Sequence, residues 1–333
     1  MKLAIVDIGT NTMLLLIADA DPENYSIKTL EDIQRIPRLG KSIDAQRNLS
    51  QETTTKAVQV LKEYMERAKL NGAGKIIATA TSFLRDSGNK NEFIKTIKKE
   101  TGIKVELLSG SEEARWTFAG GIFDKLEGTS GKKKICTIDI GGGSTEITLG
   151  GIPKKHHPDD IYRIANENIK SNSFDFGSVR ISERYFKNQP PEKADISRAS
   201  DFIKSKFNNA DFDFSDTSLI GLAGTITTLA AMKLKLNKFE SDKVDNTKLT
   251  LNEINELFGS FSSKTNSELL KMGDYMEGRS DIILSGVLIL KSFMELFGFN
   301  ELTVSTKGLR YGILLREVFE EKDEETIATW ASV

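Results

Sequence analysis

The 333-residue chain is poor in thiols and imidazoles, with one cysteine, Cys136, and two histidines. A lone thiol closes no internal disulfide, and Cys136 sits in an apolar stretch that reads as buried strand, so it is taken as a small core residue. His156 and His157 are adjacent but have no cysteine or third histidine at ligand spacing, which favours an exposed loop over a metal site. Excess charge is also missing. With 46 basic and 48 acidic side chains the net charge is −2, so nothing draws the whole molecule to nucleic acid or to an anionic membrane, and a polyanion must be bound locally. No long hydrophobic run occurs near the N-terminus. Asp7 interrupts the first one, and Met13 to Ala18 falls far short of the roughly 20 residues that cross a bilayer. A cytoplasmic protein is expected. There is no low-complexity region and no array of short repeats.

What is present is ordinary in bulk and unusual in detail. Hydrophobic residues make up 38% and charged residues 28%, as in soluble globular proteins, and the length suggests two domains. The unusual stretch is Ile135 to Glu146, an apolar strand that runs into Gly141-Gly142-Gly143 and out into a second strand. Glycines let successive backbone N–H groups close on an anion, and the Ser144 and Thr145 hydroxyls add donors. Asp139 and Glu146 bracket the turn, which suits a divalent cation between carboxylate and phosphate. A ligand-free glycine hairpin is the alternative reading.

The same pattern occurs 132 positions earlier. Leu3 to Val6 is apolar, Asp7-Ile8-Gly9-Thr10-Asn11-Thr12 turns, and Met13 to Ile17 is apolar again. A strand, turn and strand repeated at half-chain spacing implies two related domains, each presenting a turn to a shared cleft. Between the copies, Ser50 caps a helix that ends at Asn71-Gly72. Ile76 to Ala80 reads as a strand, Glu92 to Thr101 as a helix, Val105 to Leu108 as a strand and Glu112 to Gly120 as a helix. This alternation is α/β. Lys125 to Lys134 is polar and glycine-containing and is taken as the joint, its lysines as a solvated loop. Further on, Leu219 to Thr225 reads as a strand, a glycine turn and a helix N-terminus. Asp281 to Phe297 reads as an amphipathic helix, Leu302 to Ser305 as a strand and Gly308 to Phe319 as a final helix, with an acidic, frayed tail after Glu320.

Eight segments in order carry a family resemblance: VDIGTNT, RLGKSID, ATATSFLRDSGN, LLSGSEEARWTFAG, IDIGGGSTEI, FGSVRISERYF, GLAGTITTLAAM and VSTKGLRYGILL. Together they resemble the Ppx/GppA phosphatases, exopolyphosphatases and guanosine pentaphosphate phosphohydrolases of the actin, Hsp70 and sugar kinase superfold. The resemblance implies two actin-like (ribonuclease H-like) α/β domains with mixed sheets around a central cleft. Their expected extents are 1–125 and 126–320, with the tail at 321–333 and the final helix packing back on the first domain.

It also implies roles. Glu113 matches the glutamate that positions and deprotonates water, and Asp139 and Glu146 match residues beside a bound Mg²⁺. Gly142, Gly143, Ser144 and Thr145 match the phosphate loop. Asn11, Thr12, Arg38, Arg85, Gly224 and Thr225 match further phosphate contacts. From the residues alone, Glu113 is a helix-start carboxylate like Glu112, and both arginines are surface ion-pair residues. The implied activity is Mg²⁺-dependent release of terminal phosphate from pppGpp, inorganic polyphosphate or both. A kinase of the same superfold and a non-catalytic nucleotide sensor are the alternatives. A homodimer is expected by analogy only. The chain departs from the family at Leu14, where His or Arg is common, and at Tyr311 and Lys307 in the late motif. It also stops where longer members continue into a helical region, which implies a short form less suited to long chains.

Overall fold

The computed structural model describes residues 1–24, 26–41, 43–125, 132–152, 158–167 and 169–330. His156, His157 and residues 126–131 of the expected joint lie outside the described residues. The strands are β1 (Lys2–Ile8), β2 (Met13–Asp21), β3 (Ser26–Arg35), β4 (Lys75–Ala80), β5 (Val105–Leu107), β6 (Lys134–Ile140), β7 (Thr145–Gly151), β8 (Ile169–Phe174), β9 (Thr217–Leu222), β10 (Lys248–Thr250) and β11 (Glu301–Val304).

They form two sheets, ordered β3-β2-β1-β4-β5 and β10-β11-β9-β6-β7-β8. In the first, β1 is antiparallel to β2 and parallel to β4. In the second, β6 is antiparallel to β7 and parallel to β9. The duplication extends to single hydrogen bonds: Gly9 N donates to Thr12 O, and Gly141 N donates to Ser144 O, each at 3.0 Å. Register pairs Asp7 with Leu14 and Asp139 with Glu146, so Leu14 holds in the first hairpin the place of Glu146 in the second. The chain thus has the expected α/β architecture, two mixed sheets each carrying a turn-bearing hairpin.

Local chemistry sets the helices that support the site. Ser50 accepts from Thr53 N at 3.1 Å to open the Gln51–Leu70 helix, which buries Ala57, Val58, Leu61, Tyr64 and Ala68 along one face. Tyr64 closes on the first hairpin by donating to Met13 O at 2.8 Å. At the Gly110–Gly121 helix, Ser109 and Glu112 form a capping box: Glu112 N donates to Ser109 Oγ at 3.2 Å, and Ser109 N donates to Glu112 Oε2 at 2.7 Å. Glu112 is thereby committed to the cap, and Glu113 is left to face inward.

That helix and the Leu309–Trp330 helix cross in the middle of the molecule. They approach so closely that a Cβ on Gly120 would lie 1.9 Å from Gly308 O, and one on Gly312 1.7 Å from Trp116 O. Around this crossing Leu3, Ile5, Trp116, Phe118, Ile135, Ile220, Ile313 and Leu314 form one core that both sheets share. Each aliphatic side chain fully buried there contributes about 1.5–3 kcal/mol. Separate cores fill the outer side of each sheet.

Several features differ from the sequence reading. The final helix runs to Trp330 instead of fraying after Glu320. The helix expected at Asp281 spans Ile283–Phe297 and is buried almost all round, because helices pack on both sides of it in the second core. Lys125 is not solvated: its ammonium is enclosed between Asp124 at 2.6 Å and Asp245 at 2.5 Å. β3 and β8 were not legible, since both are edge strands of largely polar composition.

Candidate active site

One cleft of about 350 Å³ opens between the sheets, and the two glycine turns form its floor. The turns are in contact. A Cβ on Gly142 would lie 3.0 Å from Thr10 Cβ, and one on Gly143 2.6 Å from Ser82 Oγ, so only glycine lets the halves approach this closely. Two reciprocal ion pairs span the halves, Arg38 with Asp281 and Arg180 with Asp86. Each arginine lies on a segment tied to its own turn: Arg38 N donates to Asn11 O at 3.1 Å, and Arg180 N donates to Gly142 O at 3.3 Å.

Asn11, Thr12, Glu113, Asp139, Gly142, Ser144, Gly224 and Thr225 all line this cleft. Five other expected site residues stand behind it or beside it. Arg38 is engaged by Asp281. Arg85 donates to Glu113 Oε2 at 2.5 Å and to Leu108 O at 3.1 Å. Gly143 is wedged between Ser82 and Thr10. The Thr145 hydroxyl donates to Phe176 O at 2.7 Å, turned into the core. Glu146 lies opposite Asp139 and accepts from Ser173 Oγ at 2.7 Å.

Glu113 is 8% exposed. Burial raises its pKa above the ordinary 4.5, while Arg85 opposes that rise by charge and by hydrogen bond. The result is a carboxylate held in one orientation, with a proton affinity above that of a surface glutamate. Asp7 is raised to about 7, first by burial and then by Glu113, with Arg310 pulling the other way. Asp139 is raised to about 8 by burial, Glu113 and Asp7, and Glu146 is raised well above its usual value by burial and then by Glu113 and Asp139. Four acids crowd one end of the cleft with Arg85 and Arg310 at the margin.

This crowding bears on whether a cation fits. Asp7 Oδ1 is buried with no hydrogen-bond partner, and burial and mutual repulsion raise the proton affinity of the acids around it. Among the described residues no three His, Cys, Asp or Glu side chains gather into a protein cage. A site of one or two carboxylates completed by water and phosphate is the kind Mg²⁺ uses. The donor set fits such an ion: Asp7 and Asp139, which line the cleft, would hold it, with Glu146 paired opposite Asp139.

Three cleft residues escaped the sequence reading. Asp7 carried a signal, its place in the repeated turn, but only Asn11 and Thr12 of that turn were assigned. Arg279 carried none. It lies on the loop before the Ile283–Phe297 helix, and its guanidinium covers Gly224, where a Cβ would lie 1.5 Å from Nη1. Burial alone lowers its pKa to about 10, and its guanidinium has no hydrogen-bond or ion-pair partner among the described residues. A partly buried cation beside a helix N-terminus has the chemistry to hold an anion. Thr117, one turn beyond Glu113, is the third.

No helix of the described residues is long and apolar enough to cross a membrane. The model of the Ppx/GppA phosphatase family matches residues 16–321. The bifunctional 3-dehydroquinate synthase/phosphatase of Fusobacterium nucleatum is 34% identical over 330 residues, covering 95% of this chain and 46% of that protein, so the chain spans about half of that relative. Exopolyphosphatase 2 of Mycobacterium tuberculosis is 28% identical, with 94% of this chain and 98% of that protein covered. Among solved structures, an exopolyphosphatase from Cytophaga hutchinsonii aligns with a TM-score of 0.81 at 27% identity, covering 96% and 98% of the two chains. The Aquifex aeolicus Ppx/GppA family member aligns with a TM-score of 0.76 at 28% identity and the same coverage. On this match across both sheets, the chain belongs to the Ppx/GppA phosphatase family and is an enzyme of the phosphatase class.

Proposed function

We propose that the cleft hydrolyses the terminal phosphoanhydride bond of inorganic polyphosphate, guanosine pentaphosphate or both. The observation that carries this reading is Glu113, a buried carboxylate at the cleft surface whose free orientation is removed by Arg85. Phosphoanhydride cleavage passes through a loose transition state with charge spread over the equatorial oxygens, so positioning and positive potential supply most of the catalysis. Glu113 orients a water and takes its proton. The N–H groups of the two glycine turns other than those of Gly9 and Gly141, which close the turns themselves, and Arg279 hold the phosphates, and contact between the turns excludes bulk water from behind them.

A divalent cation held near Asp7 and Asp139, Mg²⁺ in this reading, supplies positive charge to the phosphate oxygens when bound. Both substrates are soluble phosphates of the cytoplasm, which is where the reading puts the enzyme. The exopolyphosphatase names of its relatives support polyphosphate, and the family's name supports the guanosine nucleotide. Phosphate release from tripolyphosphate, long polyphosphate and pppGpp, with Mg²⁺ and with EDTA, tests it. Release from at least one substrate that EDTA abolishes is expected, and no release from any of the three would overturn it.

A further inference from the structure

Thr117 lies on the Gly110–Gly121 helix four residues after Glu113, so the two side chains share one helix face, and both line the cleft. Its side chain is 1% exposed, yet its hydroxyl has no hydrogen-bond partner. That is unusual for a helical threonine, which ordinarily satisfies itself on the carbonyl one turn back. Other helices of this chain show that habit: Thr54 donates to Ser50 O at 3.2 Å, Thr55 to Gln51 O at 3.0 Å and Thr101 to Ile97 O at 2.7 Å. Thr117 makes no such bond to Glu113 O. A buried hydroxyl left unpaired costs about 1–3 kcal/mol, so its partner is to be sought in what enters the cleft.

We propose that Thr117 is a further catalytic residue, the second hydrogen-bonding partner of the water that Glu113 activates. This rests on the hydrolytic reading above. The water donates one hydrogen to the Glu113 carboxylate and the other to Thr117 Oγ1, which leaves a lone pair directed at phosphorus. As the new O–P bond forms, the bridging P–O bond breaks. The leaving phosphate oxygen keeps the electron pair, and the water's proton passes to Glu113. With two acceptors the water is fixed in two directions, where Glu113 alone would leave it free to pivot.

Tripolyphosphate hydrolysis in Mg²⁺ by wild type, Thr117→Val and Thr117→Ser tests this. Valine matches threonine in shape and lacks only the hydroxyl. A fall in kcat of about 10-fold or more in Thr117→Val, with KM within about twofold and recovery in Thr117→Ser, is expected for a group acting on the water alone. Placing Thr117→Val in a Glu113→Gln background should add almost nothing, since both changes remove the same positioned water; a merely structural loss would add in full. Wild-type kcat in Thr117→Val overturns the assignment, as does a raised KM with kcat intact, which would put the hydroxyl on the substrate. If Thr117→Val does not fold, Thr117→Ala replaces it in the same comparison. Lack of wild-type turnover would sink the hydrolytic reading itself, a separate outcome from full turnover in the variant.

Discussion

Arg85 Nη1 lies 2.5 Å from Glu113 Oε2 and also donates to Leu108 O, so one guanidinium ties the candidate base to the end of β5. Burial raises the Glu113 pKa and Arg85 holds part of that rise back. Removing the arginine therefore moves the Glu113 pKa further up, and activity that needs the ionised carboxylate begins at higher pH. Arg85→Ala should shift the acid limb of the kcat/KM profile to the alkaline side and lower kcat at neutral pH. An unmoved limb would mean that Glu113 is not the titrating base.

Arg279 should act on binding more than on chemistry. Its unpaired guanidinium covers Gly224 in the cleft, and a hydrogen bond to a charged group is worth about 1.5–3 kcal/mol. Arg279→Ala is expected to raise KM by about 10-fold to 100-fold with kcat little changed, and Arg279→Lys to restore only part of that. Steady-state kinetics on tripolyphosphate checks this.

The buried acids predict how the fold responds to cations. At 100-fold excess over its dissociation constant, Mg²⁺ should stabilise the wild type by about 2.7 kcal/mol, read as a rise in melting temperature. Asp139→Asn should lose that response. Without metal it should melt no lower than wild type, because it removes a carboxyl whose ionisation burial penalises first and Glu113 and Asp7 oppose further. A cation-dependent rise that survives in Asp139→Asn would move the ion elsewhere.

The last helix is fastened to the first sheet by charge. Arg316 meets Glu106 at 2.8 and 2.7 Å, and Glu317 accepts from Lys75 at 2.9 Å. Burial pushes the Glu317 pKa up, but its bonds from Lys75 and Arg316 outweigh this and hold it below the ordinary 4.5. A carboxylate depressed in the folded state stabilises the fold above its unfolded pKa and loses that contribution as pH falls through the folded value. Glu317→Gln should cost about 0.5–1 kcal/mol at pH near 7 and progressively less below the ordinary glutamate range. Urea denaturation at pH near 7 and again below the ordinary glutamate range measures the difference.

Much of this architecture was legible because it is written twice. Asp7 and Asp139 stand 132 positions apart at the ends of equivalent strands, and the turns that follow repeat hydroxyl and glycine at matching places. Glu112 and Glu113 announced a helix start, and the cap that Ser109 forms with Glu112 in the folded chain is what separates the two. What escaped the sequence depends on distant partners. Arg279 is an arginine in a polar loop until folding lays it over Gly224, 55 residues away. Thr117 looks like any helical threonine until its missing back-bond is seen. Leu14 acquires meaning only from register, which gives it the position that Glu146 holds in the other half. β3 alternates too weakly to be read as a strand because one of its edges faces solvent.

The central claim is that Glu113 activates the water that cleaves a phosphoanhydride. The most direct measurement is phosphate release by Glu113→Gln beside wild type, in saturating substrate and Mg²⁺, with substrate binding followed in parallel. A positioned general base typically contributes about 10²–10⁴-fold. The account predicts a loss of kcat of that size with binding retained, and Glu113→Gln turning over at the wild-type rate would contradict it.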